Sequence, residues 1–317
     1  MQPRDTRISA RSKALCTACA VLFVFTAGCG AEHSLAPAND KPITSSKPQT
    51  TAKDAGWFAD AQIPNAVCDV PHVTSDAVEV AFRSLSARVV DAQGKPVVGT
   101  VAQACGLNVC LPGKTDNKGQ IAIENPQPLK GGAFKYGDGL LYAQFALALD
   151  TDATHDLGDQ VTVAFPELAT GTPFTAGATL ESQDASLEIA EGADISLDLL
   201  AFPDAEQHVF LAQSIAAADY PSAARNEVGL SVVWALAPLK TKLCPKAQLR
   251  VPNTTSLKAN SAVEFLLHAT DVAGAWAAYT EWGLHATGHV TPDGQWIETD
   301  ADSGIEQLGV FGIRAAP

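Results

Sequence analysis

Apolar and polar residues alternate over short stretches through most of this chain from residue 84 onwards. Leu85, Ala87 and Val89 alternate with Ser86 and Arg88, which is the two-residue period of a strand with one buried face. Comparable stretches follow, and they are separated by Gly, Pro, Asn and Asp. The pattern predicts an all-β protein.

Two turn sequences separate the first predicted strands. Residues 92–95 (AQGK) form the first turn, and Pro96 can begin the next strand at a position that needs no backbone donor. Residues 116–119 (DNKG) form the second turn and lead into a strand that contains Ile121 and Ile123. Closely spaced turns of this kind are typical of a β-sandwich.

A set of residues around these turns has a spacing that is known from a protein family. The set consists of Val89-Val90-Asp91, Gly94-Lys95-Pro96-Val97, Gly99, Thr115-Asp116 and Gly119. It resembles the carboxypeptidase-regulatory-like domain, a transthyretin-like β-sandwich, and departs from it at Thr100 and Ile121, where Ala and Phe are frequent. The resemblance covers residues 84–165 and implies a sandwich over residues 57–165. It implies no catalytic residue, because the zinc site of the metallocarboxypeptidases lies in a separate domain.

The second half of the chain, residues 166–317, also reads as strands. Its one possible helix, residues 214–225, is interrupted by Pro221. We therefore expect two tandem β-sandwich domains of transthyretin or immunoglobulin type. The predicted strands of this half are residues 186–190, 194–199, 229–236, 248–252, 262–268, 289–298 around a Pro-Asp-Gly turn, and 305–313.

The amino-terminal residues have the layout of a secretory signal. Four basic residues precede an apolar run, residues 14–28, that ends in small residues. These 15 residues are too few to span a bilayer, which takes about 20 residues in a helix. The ending Thr26-Ala27-Gly28-Cys29 resembles a bacterial lipobox, with Thr26 where Leu is usual. The resemblance implies a signal peptide over residues 1–28 and a lipidated Cys29; the alternative is an ordinary secretory signal with Cys29 near the cut.

Residues 29–56 are predicted to form a flexible tether. They are rich in Pro, Ser, Thr, Lys and Ala and show no apolar period, so they bury too little surface to offset the entropy of ordering. Gly30 follows Cys29, and the absence of Asp at that position resembles lipoproteins that are sent to the outer membrane. The predicted location is the cell envelope, at the outer membrane, by a lipid anchor.

The charge of the chain narrows the range of partners. A net charge of −14 overall and +3 in the first 28 residues leaves −17 for the remainder. Nucleic acid is excluded as a partner on this basis, because its binding needs Lys and Arg against phosphates. A polybasic contact with anionic lipid is excluded as well. Membrane attachment is therefore expected through the amino-terminal lipid alone.

Four cysteines remain for the folded part of the chain, and their even number suits an oxidising compartment. Cys105 and Cys110 are close enough in sequence to close a short loop, and Cys68 and Cys244 then form the second predicted disulfide. Four cysteines allow three pairings. A zinc site is the rival interpretation, but no Cys-x-x-Cys pair or nearby His supports it.

Four aromatic residues near the carboxy terminus form a candidate ligand site. Trp276, Tyr279, Trp282 and Trp296 can stack against sugar rings, since aromatic faces are apolar. The alternative is that they fill a sandwich core.

Two further clusters resemble metal sites only in part. His285 and His289 are four residues apart, but Gly283 and Gly288 break a helix there, so we expect a strand and turn rather than a metal site. Residues 150–159 hold four carboxylates, without the spacing of a calcium-binding helix–loop–helix. We expect a solvated acidic loop between the domains, and leave calcium binding by this loop open.

No nucleophile elbow, phosphate-binding loop or dinucleotide motif is present in the sequence. No cofactor or metal is expected. We therefore expect a non-catalytic lipoprotein with a structural, adhesion or ligand-binding role, with a glycan or another envelope protein as its partner. A carbohydrate-binding module is the alternative, and a hydrolase with an unrecognised site ranks last.

Overall fold

A computed structural model of the chain describes residues 79–124, 127–150, 154–216, 219–220, 229–255, 257–271 and 276–317. These residues belong to one compact unit, Gln62–Pro317. They form an all-β structure with two short 3₁₀ helices, Leu168–Thr170 and Ala205–Gln207, so the predicted fold class is confirmed. Among the described residues, no helix has the length and apolar character that crossing a membrane requires.

The described residues of the amino-terminal region, up to residue 165, form nine strands. They are β1 (Glu79–Val80), β2 (Ser84–Val90), β3 (Ala102–Cys105), β4 (Cys110–Leu111), β5 (Gln120–Glu124), β6 (Leu129–Lys130), β7 (Ala133–Tyr136), β8 (Phe145–Ala148) and β9 (Thr154–Val161). One sheet has the order β5-β2-β9, with β2 and β9 parallel, and a second has the order β4-β3-β7-β8. The short strands β1 and β6 pair with each other.

The alternation in β2 has the predicted structural effect. Leu85, Ala87 and Val89 are buried, whereas Ser86 is exposed and Arg88 is half-buried. The buried side chains join a core that includes residues of both larger sheets of this region. The period-two pattern thus correctly identified the face of the sheet that is removed from water.

Both predicted turns are present, and each is closed by an aspartate. Asp91 Oδ1 accepts hydrogen bonds from backbone N–H groups two and four residues ahead, and Asp116 Oδ1 does the same in the second turn. Gly94 and Gly119 have φ of +76° and +74°. The strand expected to begin at Pro96 is only a single bridge to Val90, because the chain leaves the sheet after that contact.

In the carboxy-terminal region, from residue 166 onwards, the part that the structure describes forms twelve strands. They are β10 (Thr172–Pro173), β11 (Thr179–Ser182), β12 (Ala185–Glu188), β13 (Asp194–Ser196), β14 (Val209–Ile215), β15 (Val232–Ala237), β16 (Lys242–Pro252), β17 (Ala262–His268), β18 (Trp282–Val290), β19 (Trp296–Thr299), β20 (Ile305–Gln307) and β21 (Val310–Ala315). The predicted strand at residues 262–268 matches β17. The possible helix at residues 214–225 is contradicted at its start, because Ser214 and Ile215 belong to β14; residues 217–218 and 221–228 lie outside the described residues.

These twelve strands form one curled sheet. Its order is β10-β14-β15-β21-β17-β18-β19-β16-β12-β11, with β13 and β20 also paired to β16. The two ends of the sheet meet through side chains: Ala212 N donates to Ser182 Oγ at 2.9 Å, and Thr172 Oγ1 donates to the Glu181 carbonyl at 2.7 Å. The sheet therefore almost closes into a barrel, and apolar residues such as Trp234 and Phe265 fill its interior.

The two regions share a hydrophobic core. Val233, Ala235 and Val310 point out of the curled sheet and pack into the same cluster as Tyr136 and Phe145 of the amino-terminal region. Because this contact is apolar and fully buried, we expect the regions to unfold together rather than separately.

Two hydrogen bonds also join the regions. The backbone N–H of Leu239 donates to the Gly139 carbonyl at 2.8 Å. The N–H of Ala146, in edge strand β8, donates to Nε2 of His268 at 3.1 Å. The imidazole thus satisfies a backbone donor that an edge strand otherwise leaves unpaired.

Candidate functional site

An open groove of about 760 Å³ lies on the outer face of the β5-β2-β9 sheet. Its volume falls within the range of small-ligand sites, about 300 to 1,000 Å³. Its lining comes from all three strands and from the segment before β5. The lining residues are Ser86, Ala87, Arg88, Gly113, Lys114, Asp116, Gln120, Ile121, Ala122, Asp156, Gly158 and Asp159.

A bulge in β9 builds one side of this groove. Ser86 pairs with Asp156 and Arg88 pairs with Asp159, so β9 has one extra residue between these pairs. Gly158, with φ of +61°, takes the backbone conformation that the bulge requires. As a result, Asp156 and Asp159 both lie opposite outward-facing residues of β2.

Ion pairing and hydrogen bonding fix the charged side chains on this side of the groove. Arg88 donates to Asp159 Oδ2 at 2.9 Å and also reaches the carbonyls of Gly94 and Lys118. Ser86 Oγ donates to Asp156 Oδ1 at 3.2 Å. The arginine and the two carboxylates are therefore held in place before any ligand arrives.

The opposite side of the groove carries a lysine and a third carboxylate. Backbone N–H groups of Gln120 and Lys118 lower the pKa of Asp116, so its carboxylate stays ionised at neutral pH. Lys114 is exposed and is not part of any ion pair among the described residues. With Arg88, two cationic side chains face three carboxylates, which leaves the groove slightly acidic.

The middle of the groove is lined by small or uncharged groups. Ser86, Ala122 and Gly158 are exposed there, and Ala122 lies directly across from Ser86 in the β2–β5 pair. A ligand can therefore approach the sheet closely in the centre and reach charged groups at the edges. His and Cys do not occur among the lining residues, so the groove offers hydrogen bonds and charge rather than a nucleophile with an imidazole base.

The acidic segment at residues 150–159 differs from the prediction of a loop between domains. From Thr154 onwards it is strand β9 at the edge of a sheet, while residues 151–153 lie outside the described residues. The loop prediction is wrong for residues 154–159, because parallel pairing with β2 orders the chain there despite its charge. Asp156 accepts a hydrogen bond from Ser86, and Asp159 forms an ion pair with Arg88.

The four aromatic candidates do not form one exposed platform. Tyr279 is 8% exposed and belongs to a small buried cluster. Trp276 packs against the core of the curled sheet, and its ring centroid lies 4.1 Å from that of His285. Trp282 packs instead against the core shared by the two regions. Trp296 lies apart from the other three on β19, where the Arg250 guanidinium covers its ring at 4.3 Å.

His285 and His289 occupy opposite sides of strand β18. His285 is buried and accepts a hydrogen bond from the Glu306 backbone N–H at 3.0 Å, whereas His289 is half-exposed between Glu298 and Asp300. The expected strand is confirmed here. In the described part of the chain, no group of three or more His, Cys, Asp or Glu side chains is placed to hold a metal ion.

The predicted disulfide between Cys105 and Cys110 is present. It joins β3 and β4 at the edge of a sheet, where the two cysteines are direct cross-strand partners. Cys244 is also disulfide-bonded. Its predicted partner Cys68 and the predicted lipidation site Cys29 lie outside the described residues, so both assignments stay predictions.

Two features were not predicted from the sequence: the buried His268 and the open groove. His268 stands on an apolar strand, and any core histidine shows such a pattern. The charges of the groove were visible as Arg88 and the Asp-Leu-Gly-Asp stretch of β9, but no sequence pattern indicated the bulge that aligns them. No protein-family model and no curated protein matches the sequence.

Proposed function

We propose that this protein is a cell-envelope lipoprotein, anchored through an acylated Cys29, whose folded region binds another envelope component and performs no catalysis. The observation that carries the binding role is the groove on the β5-β2-β9 sheet. Arg88, Asp116, Asp156 and Asp159 are held by contacts within the protein, so binding requires little further ordering of these four side chains.

The anchor rests on residues 14–29 and on the charge of the chain. An apolar run that ends at Cys29 suits acylation, and a strongly acidic remainder does not suit adsorption to anionic lipid. The disulfide between Cys105 and Cys110 is consistent with an exported protein, because disulfides persist in oxidising compartments.

The favoured ligand is an extended segment of another envelope protein. The sheet face is open along its strands, has small side chains in its centre, and presents both signs of charge at its edges. A carbohydrate-binding module remains the second candidate. It is supported by the donors and acceptors of Lys114, Gln120 and Asp159, but the lining of the groove has no ring for sugar stacking.

Binding of the purified full chain to arrays of envelope-protein peptides and of glycans tests this proposal. We expect peptide ligands whose binding is lost in Lys114→Glu and retained in Lys258→Glu, an exposed lysine distant in sequence that makes the same charge change. Glycan binding with the same dependence on Lys114 would instead establish the carbohydrate-binding alternative. Ligands that bind equally to wild type and Lys114→Glu would exclude the groove as the binding site.

A further inference from the structure

A second surface feature is independent of the groove. The segment Asp198-Leu199-Leu200-Ala201-Phe202, here named the leucine tip, presents two adjacent leucines to solvent. Leu199 is 61% exposed and Leu200 is 97% exposed. Single exposed leucines are ordinary on protein surfaces. Two in succession at one turn place an unusual amount of apolar surface in water.

The backbone of the leucine tip is held by hydrogen bonds. Asp198 Oδ1 accepts from the N–H groups of Leu200 and Ala201 at 3.1 and 3.2 Å. The Asp198 carbonyl accepts from Phe202 N at 2.8 Å. The backbone that carries the two leucines is therefore restrained, and a partner that binds them has little loop entropy to overcome.

Phe202 anchors the leucine tip to the rest of the fold. Its side chain is 5% exposed and packs with Leu140 and Leu239. Its carbonyl is 2.8 Å from Nε2 of His208. The outward direction of the leucines thus follows from a core contact directly behind them.

Carboxylates outnumber basic residues around the leucine tip, although Lys242 lies across from Ser196 in the pairing of β13 with β16. Asp194, Asp198, Asp204 and Glu206 are all exposed, and residues 194–207 contain no Lys or Arg. None of these four takes part in an ion pair with another described residue. An anionic membrane would repel this segment. An apolar centre with a charged rim is instead the arrangement of protein interfaces.

We propose that the leucine tip is a docking site for a partner protein that has an apolar pocket edged by Lys and Arg. The pocket receives Leu199 and Leu200, and the basic residues face the four carboxylates. This assignment does not depend on the groove, and either site can fail its test without the other.

Photocrosslinking in intact cells tests the proposal. A benzophenone amino acid replaces Leu200 in the full chain, and the control carries it at Asp184, an exposed turn residue on another loop. We expect a discrete protein adduct at position 200 only, joined to a peptide that contains apolar residues flanked by Lys or Arg. No adduct beyond the control, or an adduct peptide without basic residues, would overturn the proposal.

Binding of the purified adduct partner to the full chain then provides the quantitative test. Leu200→Glu should weaken binding by about tenfold or more, because it places a charge in an apolar pocket. Asp184→Lys should leave binding unchanged, and salt at about 0.5 M should weaken it by screening the rim. Equal binding by wild type and Leu200→Glu would overturn the proposal. The proposal would also be overturned if wild type, but not Leu200→Glu, floated with neutral or anionic vesicles, because the leucine tip would then contact lipid.

Discussion

Acidification is expected to destabilise this protein through two buried histidines. His268 lies between the rings of Phe145 and Trp282, and His285 lies between those of Trp276 and Phe311. Nε2 of each imidazole accepts a backbone N–H, so each ring is neutral with its proton on Nδ1. Protonation would place a second donor against that N–H and a charge among aromatic rings.

Burial lowers the pKa of both imidazoles. Burial is the main cause for His268, whose pKa falls from 6.5 to about 4, with a backbone contact to Glu281 acting in the opposite direction. The pKa of His285 falls from 6.5 to about 3, through burial and then through the charge of Lys246. The unfolded chain therefore binds these two protons at a higher pH than the folded protein does.

The sign and size of the effect follow from this difference. About one pH unit above 6.5 and higher, both histidines are almost entirely neutral in both states, and their contribution to stability is complete. As the pH falls below that value, the unfolded state gains protons first, at a cost of about 1.4 kcal/mol per proton and pH unit. Between pH of about 7.5 and about 5, the two together should reduce the free energy of unfolding by about 4 kcal/mol. That is a large share of a typical domain stability of about 5 to 15 kcal/mol.

Urea denaturation across this pH range, followed by tryptophan fluorescence, measures the loss. The matched variants His268→Gln and His285→Gln keep an acceptor for the backbone N–H and remove the titration. Each should reduce the pH dependence by about 2 kcal/mol. A free energy of unfolding that stays within about 1 kcal/mol over the range would refute the reasoning. Imidazole pKa values above 6 in the folded wild-type protein, measured by NMR, would also refute it. This measurement needs no variant, so it applies even if a glutamine variant does not fold.

Three further outcomes are expected from equilibrium unfolding of single variants. Cys105→Ser with Cys110→Ser should cost about 2 kcal/mol, the entropy of a short loop; an unchanged free energy of unfolding would contradict this. Phe145→Ala should cost about 3 to 5 kcal/mol and leave one cooperative transition, because both regions share its core; two separate transitions would contradict the shared core. Gly119→Ala should cost about 3 kcal/mol or more, since its Cβ would clash with the backbone carbonyl oxygen of Val89. Gly94→Ala, at a similar φ in open space, should cost only about 1 kcal/mol, and equal costs would contradict the clash.

Local pattern predicted much of the amino-terminal region. The alternation of Leu85, Ala87 and Val89 gave the buried face of β2, and the two Asp-containing turns gave the hairpin geometry around Gly94 and Gly119. These features depend on residues close together in sequence, where side-chain period and turn chemistry decide the conformation.

Contacts between segments that are distant in sequence could not be predicted from the local pattern of apolar and polar residues. The parallel pairing of β9 with β2 joins residues about 70 positions apart, and it orders an acidic stretch that reads as a loop on its own charge. The curled sheet likewise places Trp276 and Trp282 in different cores, although both stand near Tyr279 in sequence. Long-range pairing overrides local polarity in the first case, and sheet curvature separates sequence neighbours in the second.

Fatty-acid labelling of Cys29 tests the envelope-anchor proposal most directly. Cells that express wild type, Cys29→Ser or Cys19→Ser are fed an alkyne fatty acid, and the protein is then partitioned between detergent and water. The proposal predicts label and detergent partitioning for wild type and Cys19→Ser, and neither for Cys29→Ser, because acyl chains on Cys29 supply the membrane affinity. Equal labelling and partitioning of Cys29→Ser would contradict it.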